Sequence, residues 1–228
     1  AWVGLPQVSH AQPTVFYLYY GAVGCGAAVN PTAIWDASYA GVWHLSETSP
    51  VNRRDATLHG RDGVPGGFDG DESAVGRCDG GDEYDGIDDH LVIPTAAMAG
   101  LTDFTVCFWI RTTESGTNTT RWKNPTLFGQ ITSGYDSGDF GILTEGGYIG
   151  LRSGMCTGTD ELHVSTTVAI NDNLWHWICA ESDNTGIALY VDNQSAGKVC
   201  NGGRPVDNQE FWLGGQSGEG AGEAGAYH

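Results

Sequence analysis

Three carboxylates stand within five residues at Asp85, Asp88 and Asp89, in the run YDGIDDHLVIP from Tyr84 to Pro94. Hard oxygen ligands packed this closely suit Ca²⁺, the one cofactor the sequence suggests. Asp79 and Asp82 are near enough to contribute, although the spacing is not that of a helix-loop-helix calcium loop. The same aspartates can instead cap turns through side-chain to backbone hydrogen bonds. Catalytic patterns are missing. No pair of glutamates follows the E-x-D-x-E alternation that aims two carboxylates at a glycosidic bond from one strand face. G-x-S-x-G, H-E-x-x-H and a phosphate-binding loop are absent, and the seven histidines are scattered singly. His44 and His176 lie beside tryptophans in apolar runs and read as packed, hydrogen-bonded residues. The chain is therefore expected not to be an enzyme.

Exposed aromatics are a second kind of chemistry, because a sugar ring stacks on a flat indole or phenol. Trp122, Tyr135 and Tyr148 fall in loop-like surroundings and are the candidates for such a glycan platform. The sequons at Asn118 and Asn193 occupy predicted loops and could carry N-glycans, with Thr112, Thr113, Thr117, Thr119 and Thr120 offering O-linked positions.

Six cysteines, Cys25, Cys78, Cys107, Cys156, Cys179 and Cys200, show no C-x-x-C pair. Zinc ligation and dithiol redox chemistry both lack their spacing, so disulfides in an oxidising compartment are expected, with a secreted or cell-surface location. Six cysteines allow about 15 pairings, among which sequence alone does not choose; Cys107 and Cys179 lie inside the two strongest strand candidates and are paired first, with Cys25–Cys78 and Cys156–Cys200 as one way to complete the set. The net charge of −18 repels nucleic acid and anionic membrane surfaces and excludes both as partners. No run of about 18 apolar residues exists to insert into a membrane. The start at Ala1 suits a mature product or an excised fragment alike.

The elements that would position these groups are short strands. Thirty-five glycines, eight tryptophans and little Ala/Leu/Glu/Lys periodicity favour an antiparallel two-sheet sandwich with almost no helix. In FTVCFWI, Phe104, Val106, Phe108 and Ile110 share one face while Cys107 and Trp109 share the other, which predicts burial of both faces. Asp192, Asn193 and Gln194 read as a hairpin turn. Residues 1–34 form an N-terminal β segment and linker, and residues 35–228 the sandwich.

From Gly41 onward the blocks GVWHLSE, DATLHG (Asp55 to Gly60), YDGIDDHLVIP, FTVCFWI, LWHWICA, IALYVDNQSAG and FWLGGQ follow in order and spacing. In this the chain resembles the laminin-G-like, concanavalin-A-like jelly-roll family. Residues 17–45, with YLYYG, a WD-x-x-Y segment and VWHL, are similar to the tail of an uncharacterised bacterial extracellular domain that often precedes such modules. The family resemblance implies a closing strand of the kind G-x-I-D-E-V-R-I beside VWHL, and GQSGEGAGEAGAYH does not supply it. An open place beside VWHL would leave ladder groups exposed. Two segments could fill it. The run AWVGLPQV, with Trp2, Val3 and Leu5, and the run TVFYLYY, with Val15, Phe16, Tyr17, Leu18, Tyr19 and Tyr20, have the β-branched and aromatic content of an inserted strand. They either fold back within one chain or enter a neighbouring copy, and the second arrangement builds a head-to-tail filament. The expected partner is another copy of the chain. The alternative is a carbohydrate- or protein-binding module, adhesin-like or lectin-like, of a larger bacterial surface protein.

Overall fold

A computed structural model describes residues 3–5, 7–17, 34–117, 124–130, 138–154, 162–199, 205–206 and 210–215, with the backbone alone for 162–165. Among these there is no α-helix, only a short 3-10 turn at Thr95–Ala97. The larger sheet runs in the order β1 (Val64–Gly66), β4 (His90–Ile93), β13 (Phe211–Leu213), β6 (Thr126–Gln130), β7 (Phe140–Glu145), β8 (Tyr148–Ser153) and β9 (Leu162–Ser165). The smaller runs β12 (Gln194–Val199), β11 (Gly186–Val191), β10 (His176–Asp183) and β5 (Phe104–Ile110). A separate hairpin joins β2 (Ser73–Val75) and β3 (Gly80–Asp82). All of these pairings are antiparallel, as hairpin and Greek-key connections require.

The core lies between the two main sheets. Leu91, Ile93, Phe140, Ile142, Ile149, Leu151 and Phe211 of the larger sheet meet Ile178, Ala180, Ile187, Leu189 and Val191 of the smaller. Phe104 crosses the layer to stand edge-on to Phe140, with centroids 5.1 Å apart. Each of these fully buried aliphatic or aromatic side chains contributes about 1.5–3 kcal/mol. Gly214, at φ +78°, closes the FWLGG turn: a Cβ there would sit 2.6 Å from the Tyr84 ring, so the turn tolerates no side chain.

Three sequence expectations are corrected here. Strand β5 is not buried on both faces: Phe104, Val106, Phe108 and Ile110 turn inward, whereas Thr105, Cys107 and Trp109 are exposed. It is the edge of a sheet whose outer face meets solvent, and alternation of apolar residues on both faces does not distinguish that case from a covered sheet. The strands buried on both faces are instead β6, β7 and much of β8. The described N-terminal residues, 3–5 and 7–17, form no strand, while Ala1, Trp2, Pro6, Leu18, Tyr19 and Tyr20 of the two expected runs lie outside the described residues. The hairpin turn is two residues long, Asp192 and Asn193 at φ +50° and +62°, and Gln194 already belongs to β12.

Cys107 and Cys179 stand opposite one another on β5 and β10 and form a disulfide, with Cα atoms 4.2 Å apart. Cys78 is exposed; its expected partner Cys25, and the Cys156–Cys200 pair, lie outside the described residues, as does the stretch after Gly215.

The segment before β1 is tied to the sandwich by polar bonds. Arg53 and Asp82 are both fully buried, and the guanidinium grips the carboxylate through Nε and Nη2 at 2.6–3.0 Å. Its Nη1 donates to the Val51 carbonyl, and its plane lies 5.2 Å from the Phe68 ring centre. Burial raises the Asp82 pKa, and the Arg53 bonds oppose that rise. Asp55 organises the DATLHG segment: its carboxylate accepts from the backbone N–H of Val42, Thr57 and Arg61 and from the Thr57 hydroxyl. Burial acts to raise the Asp55 pKa, and these four bonds outweigh it and hold the group low.

His176, at the start of β10, is buried between Asp192 (Nδ1 to Oδ2, 2.7 Å) and Asp172 (Nε2 to Oδ1, 3.0 Å). Burial acts to lower its pKa, but the bonds and charges of the two aspartates win and raise it above the ordinary 6.5. A histidine with a raised folded-state value stabilises the fold fully below its unfolded value and loses that contribution as pH rises through the folded one. The melting-temperature difference between wild type and H176Q is therefore expected to be largest near about pH 5.5 and to shrink toward about pH 8.5; a difference independent of pH would contradict the assignment. For the buried pair, R53M or D82L alone is expected to cost about 3–5 kcal/mol in chemical denaturation, and the double variant R53M/D82L clearly less than either, because a single change strands a buried charge.

Candidate functional site

The carboxylates singled out from the sequence do converge. Ligand oxygens of Asp85, Asp88 and Asp89 lie within 4.8 Å of one another in the loop entering β4. Much of their capacity is spent on the loop itself. Asp85 Oδ1 accepts from the N–H of Ile87 at 2.7 Å, and Asp89 Oδ2 from the N–H of Asp85 at 2.9 Å. Asp85 and Asp88 are exposed and Asp89 is buried. Burial raises the Asp89 pKa, the bond from Asp85 N–H opposes it, and the charges of Asp85, Glu72 and Asp88 raise it further. Asp79 is not brought into this group, and Asp82 is committed to Arg53.

A second group, Asp69, Asp71 and Glu72, was not singled out from the sequence, although the run DGDE carried the same kind of signal. Glu72 is buried and accepts from the N–H groups of Asp69 and Gly70 and from the Ser49 hydroxyl. Burial acts to raise its pKa, and the Ser49 and backbone bonds outweigh it and lower it. Repulsion from Asp71 raises Asp69. Since Glu72 also acts on Asp82 and Asp89, the two groups share one negative field. Such a field attracts a hard divalent cation and repels anions.

Beside it, a hollow of about 500 Å³ opens between the VWHL segment and the DATLHG segment, lined by His44, Glu47, Arg54, Asp55, Leu58 and Asp62 among others. His44 is half-buried, 5.9 Å from the Trp35 ring centre. The VWHL run makes only an isolated bridge, Trp43 to Asp55, in place of the expected full strand.

The aromatic surface differs from the one expected. Tyr148 opens β8 and is 39% exposed, while Trp122 and Tyr135 lie outside the described residues. The outer face of the smaller sheet carries a cross-strand pair instead: Trp109 and Trp177 face each other with ring centres 5.3 Å apart. The Arg77 guanidinium lies 5.3 Å from the centre of the Trp109 ring. Tyr190 and Glu181 follow on the same face, joined by a 3.2 Å hydrogen bond from the tyrosine hydroxyl. The period-2 alternation that places Trp109 beside Cys107 could have revealed this face, had it not been assigned to burial.

Asn193 occupies the exposed β11–β12 turn; Asn118 is outside the described residues. Of the N-terminal residues, Val3, Leu5, Val15, Phe16 and Tyr17 are exposed, and Trp2, Leu18, Tyr19 and Tyr20 lie outside the described residues. No helix among the described residues is long and apolar enough to cross a membrane.

Comparison with known proteins agrees with this architecture. The binding domain of Paraclostridial Mosquitocidal Protein 1 is similar at a TM-score of 0.52 and 14% identity, over 76% of this chain and 43% of that one. Domain 4 of AbnA, a GH43 extracellular arabinanase from Geobacillus stearothermophilus in complex with arabinotriose, gives 0.49 and 18%, over 62% and 65%. The mouse laminin alpha1 chain, domains LG4-5, gives 0.47 and 19%, over 59% of this chain and 34% of that one. This chain thus spans about a third of the laminin chain's length, and at 14% identity the likeness to the mosquitocidal binding domain is one of fold. No curated protein matches. Residues 85–227 match the family Laminin_G_3, described as the Concanavalin A-like lectin/glucanases superfamily. With its sandwich, its ordered sequence blocks and that match over more than half its length, the chain belongs to the laminin-G-like family.

Proposed function

We propose that the chain is a non-catalytic extracellular binding module whose main partner is a further copy of itself, engaged head to tail through the N-terminal segment. Family membership supports the binding-module class. The observation that carries the choice of partner is the segment itself. Val8, Val15, Phe16 and Tyr17 are 70%, 68%, 58% and 78% exposed, and no strand pairs with them among the described residues. From Ala1 to Trp35 there is no Asp, Glu, Lys or Arg, whereas the whole chain carries −18. Two copies repel one another over most of their surfaces. This stretch can approach a second copy without desolvating a carboxylate, and its β-rich residues suit strand addition. A head-to-tail contact whose rotation between copies does not close builds a filament, the arrangement proposed here.

Negative-stain micrographs and light scattering of the full chain and of a variant lacking residues 1–20 test this reading. The full chain is expected to form polymers, and the truncated one to stay single and bind a synthetic peptide of residues 1–20. Unchanged polymers after truncation, or a full chain that stays single at high concentration, would overturn it.

Calcium at the loop of Asp85, Asp88 and Asp89 is a second element of the proposal, supported by the three oxygens within 4.8 Å and by the raised Asp89 pKa, to which burial contributes most and the repulsion of Asp85, Glu72 and Asp88 adds. A bound cation would relieve that repulsion. Millimolar calcium is expected to raise the melting temperature of the wild type and not of D85N/D88N. An equal response, or none in either, would leave the three aspartates as turn caps.

A further inference from the structure

We propose that the outer face of the smaller sheet binds a neutral oligosaccharide, with Trp109 and Trp177 as its stacking platform. The antiparallel register sets out the face rung by rung. Trp109 is opposite Trp177; Cys107, Cys179 and Tyr190 share the next outward rung; Thr105, Glu181 and Ala188 share the one after. Trp109 is 37% exposed, and Cys107 beside it is exposed as well. Among the described residues β5 is the edge of its sheet, and no described strand of that sheet adjoins Trp109 on its far side.

The chemistry of this patch is specific. A pyranose presents an apolar C–H face and a rim of hydroxyls. It needs flat rings beneath it and donors or acceptors at its margin. The two indoles are inclined at 50°, so they form a shallow V and not a flat floor. Arg77, stacked at Trp109, and the bonded Tyr190–Glu181 pair provide polar groups at its margins. Further along, Asp183 holds the Lys198 ammonium at 2.7 Å. A protein surface covering the patch would have to desolvate Glu181 and Asp183, which is costly, whereas sugar hydroxyls can hydrogen-bond to them. The net charge of −18 disfavours sialylated, sulfated or uronic acid chains and leaves neutral ones. The disulfide ties β5 to β10 two residues from the tryptophans, at the next outward-facing pair, so the two rings are held in place before a ligand arrives.

A glycan array followed by tryptophan-fluorescence titration with neutral hexasaccharides (cellohexaose, xylohexaose, mannohexaose and arabinohexaose) tests the proposal on the full chain. At least one neutral glycan is expected to bind, with affinity lowered about tenfold or more in W109A and in W177A and largely retained in W109F. E181Q, at a half-buried position on the open face, guards against loss of fold in the tryptophan variants and is expected to weaken binding severalfold with the melting temperature unchanged. Silence of the array toward every neutral glycan would overturn the proposal, as would binding that W109A/W177A and E181Q leave untouched. Protection of the tryptophans only when the chain polymerises would place a second polypeptide on this face and also overturn it.

Discussion

The ion pair between Arg53 and Asp82 is the constraint on which the first half of the sandwich depends. Residues 42 to 63 contribute isolated bridges instead of a continuous ladder, so cross-strand hydrogen bonding alone holds them weakly. Arg53 lies at the middle of this region, bonded through its backbone to Gly63 and through its side chain to Asp82 at the end of β3. One residue thereby ties Val51, Gly63 and Phe68 to the β2–β3 hairpin. Buried ion pairs add little net stability, but their directional bonds select one arrangement among many. Asp55 does the same for the adjoining loop with four accepted bonds. Gly80 approaches the Leu45 carbonyl so closely that a Cβ there would clash with its oxygen, which shows how tightly the hairpin packs on the VWHL segment.

The two sheets divide the work unequally. The larger one is covered on both faces at β6 to β8, where even Thr144, Arg152 and Ser153 are buried. The smaller one keeps an open outer face that carries Trp109, Trp177, Tyr190 and the disulfide. The outward aromatic rings therefore gather on the smaller sheet and the carboxylate clusters on the loops around β1 to β4, while the larger sheet supplies rigidity.

Much of this architecture was legible from residue patterns. The ordered blocks from Gly41 to Gln216 identified the family, and the positions of Cys107 and Cys179 in the two strongest strands identified their pairing. The carboxylate loop was legible because Asp85, Asp88 and Asp89 are adjacent in the chain. Features that depend on which layer covers which were not. FTVCFWI has apolar residues on both faces, and period 2 assigns them to two sides without saying which side meets water. The Trp109–Trp177 pair joins residues far apart in the chain and depends on a register that no single segment encodes. The Arg53–Asp82 pair was equally hidden, since a lone arginine in a polar run carries no sign of burial.

The disulfide has a mechanical meaning as well as a thermodynamic one. Strands β5 and β10 pair through seven rungs, from His176 with Ile110 to Ser182 with Phe104, and Cys179 with Cys107 is the fourth. An edge strand pulled from one end normally peels, breaking its hydrogen bonds one rung at a time under low force. A covalent tie at the central rung stops such a peel halfway. A load that reaches β5 passes through sulfur into β10 and the interior of the sheet, so the strand at the margin of the fold resists tension like one at its centre.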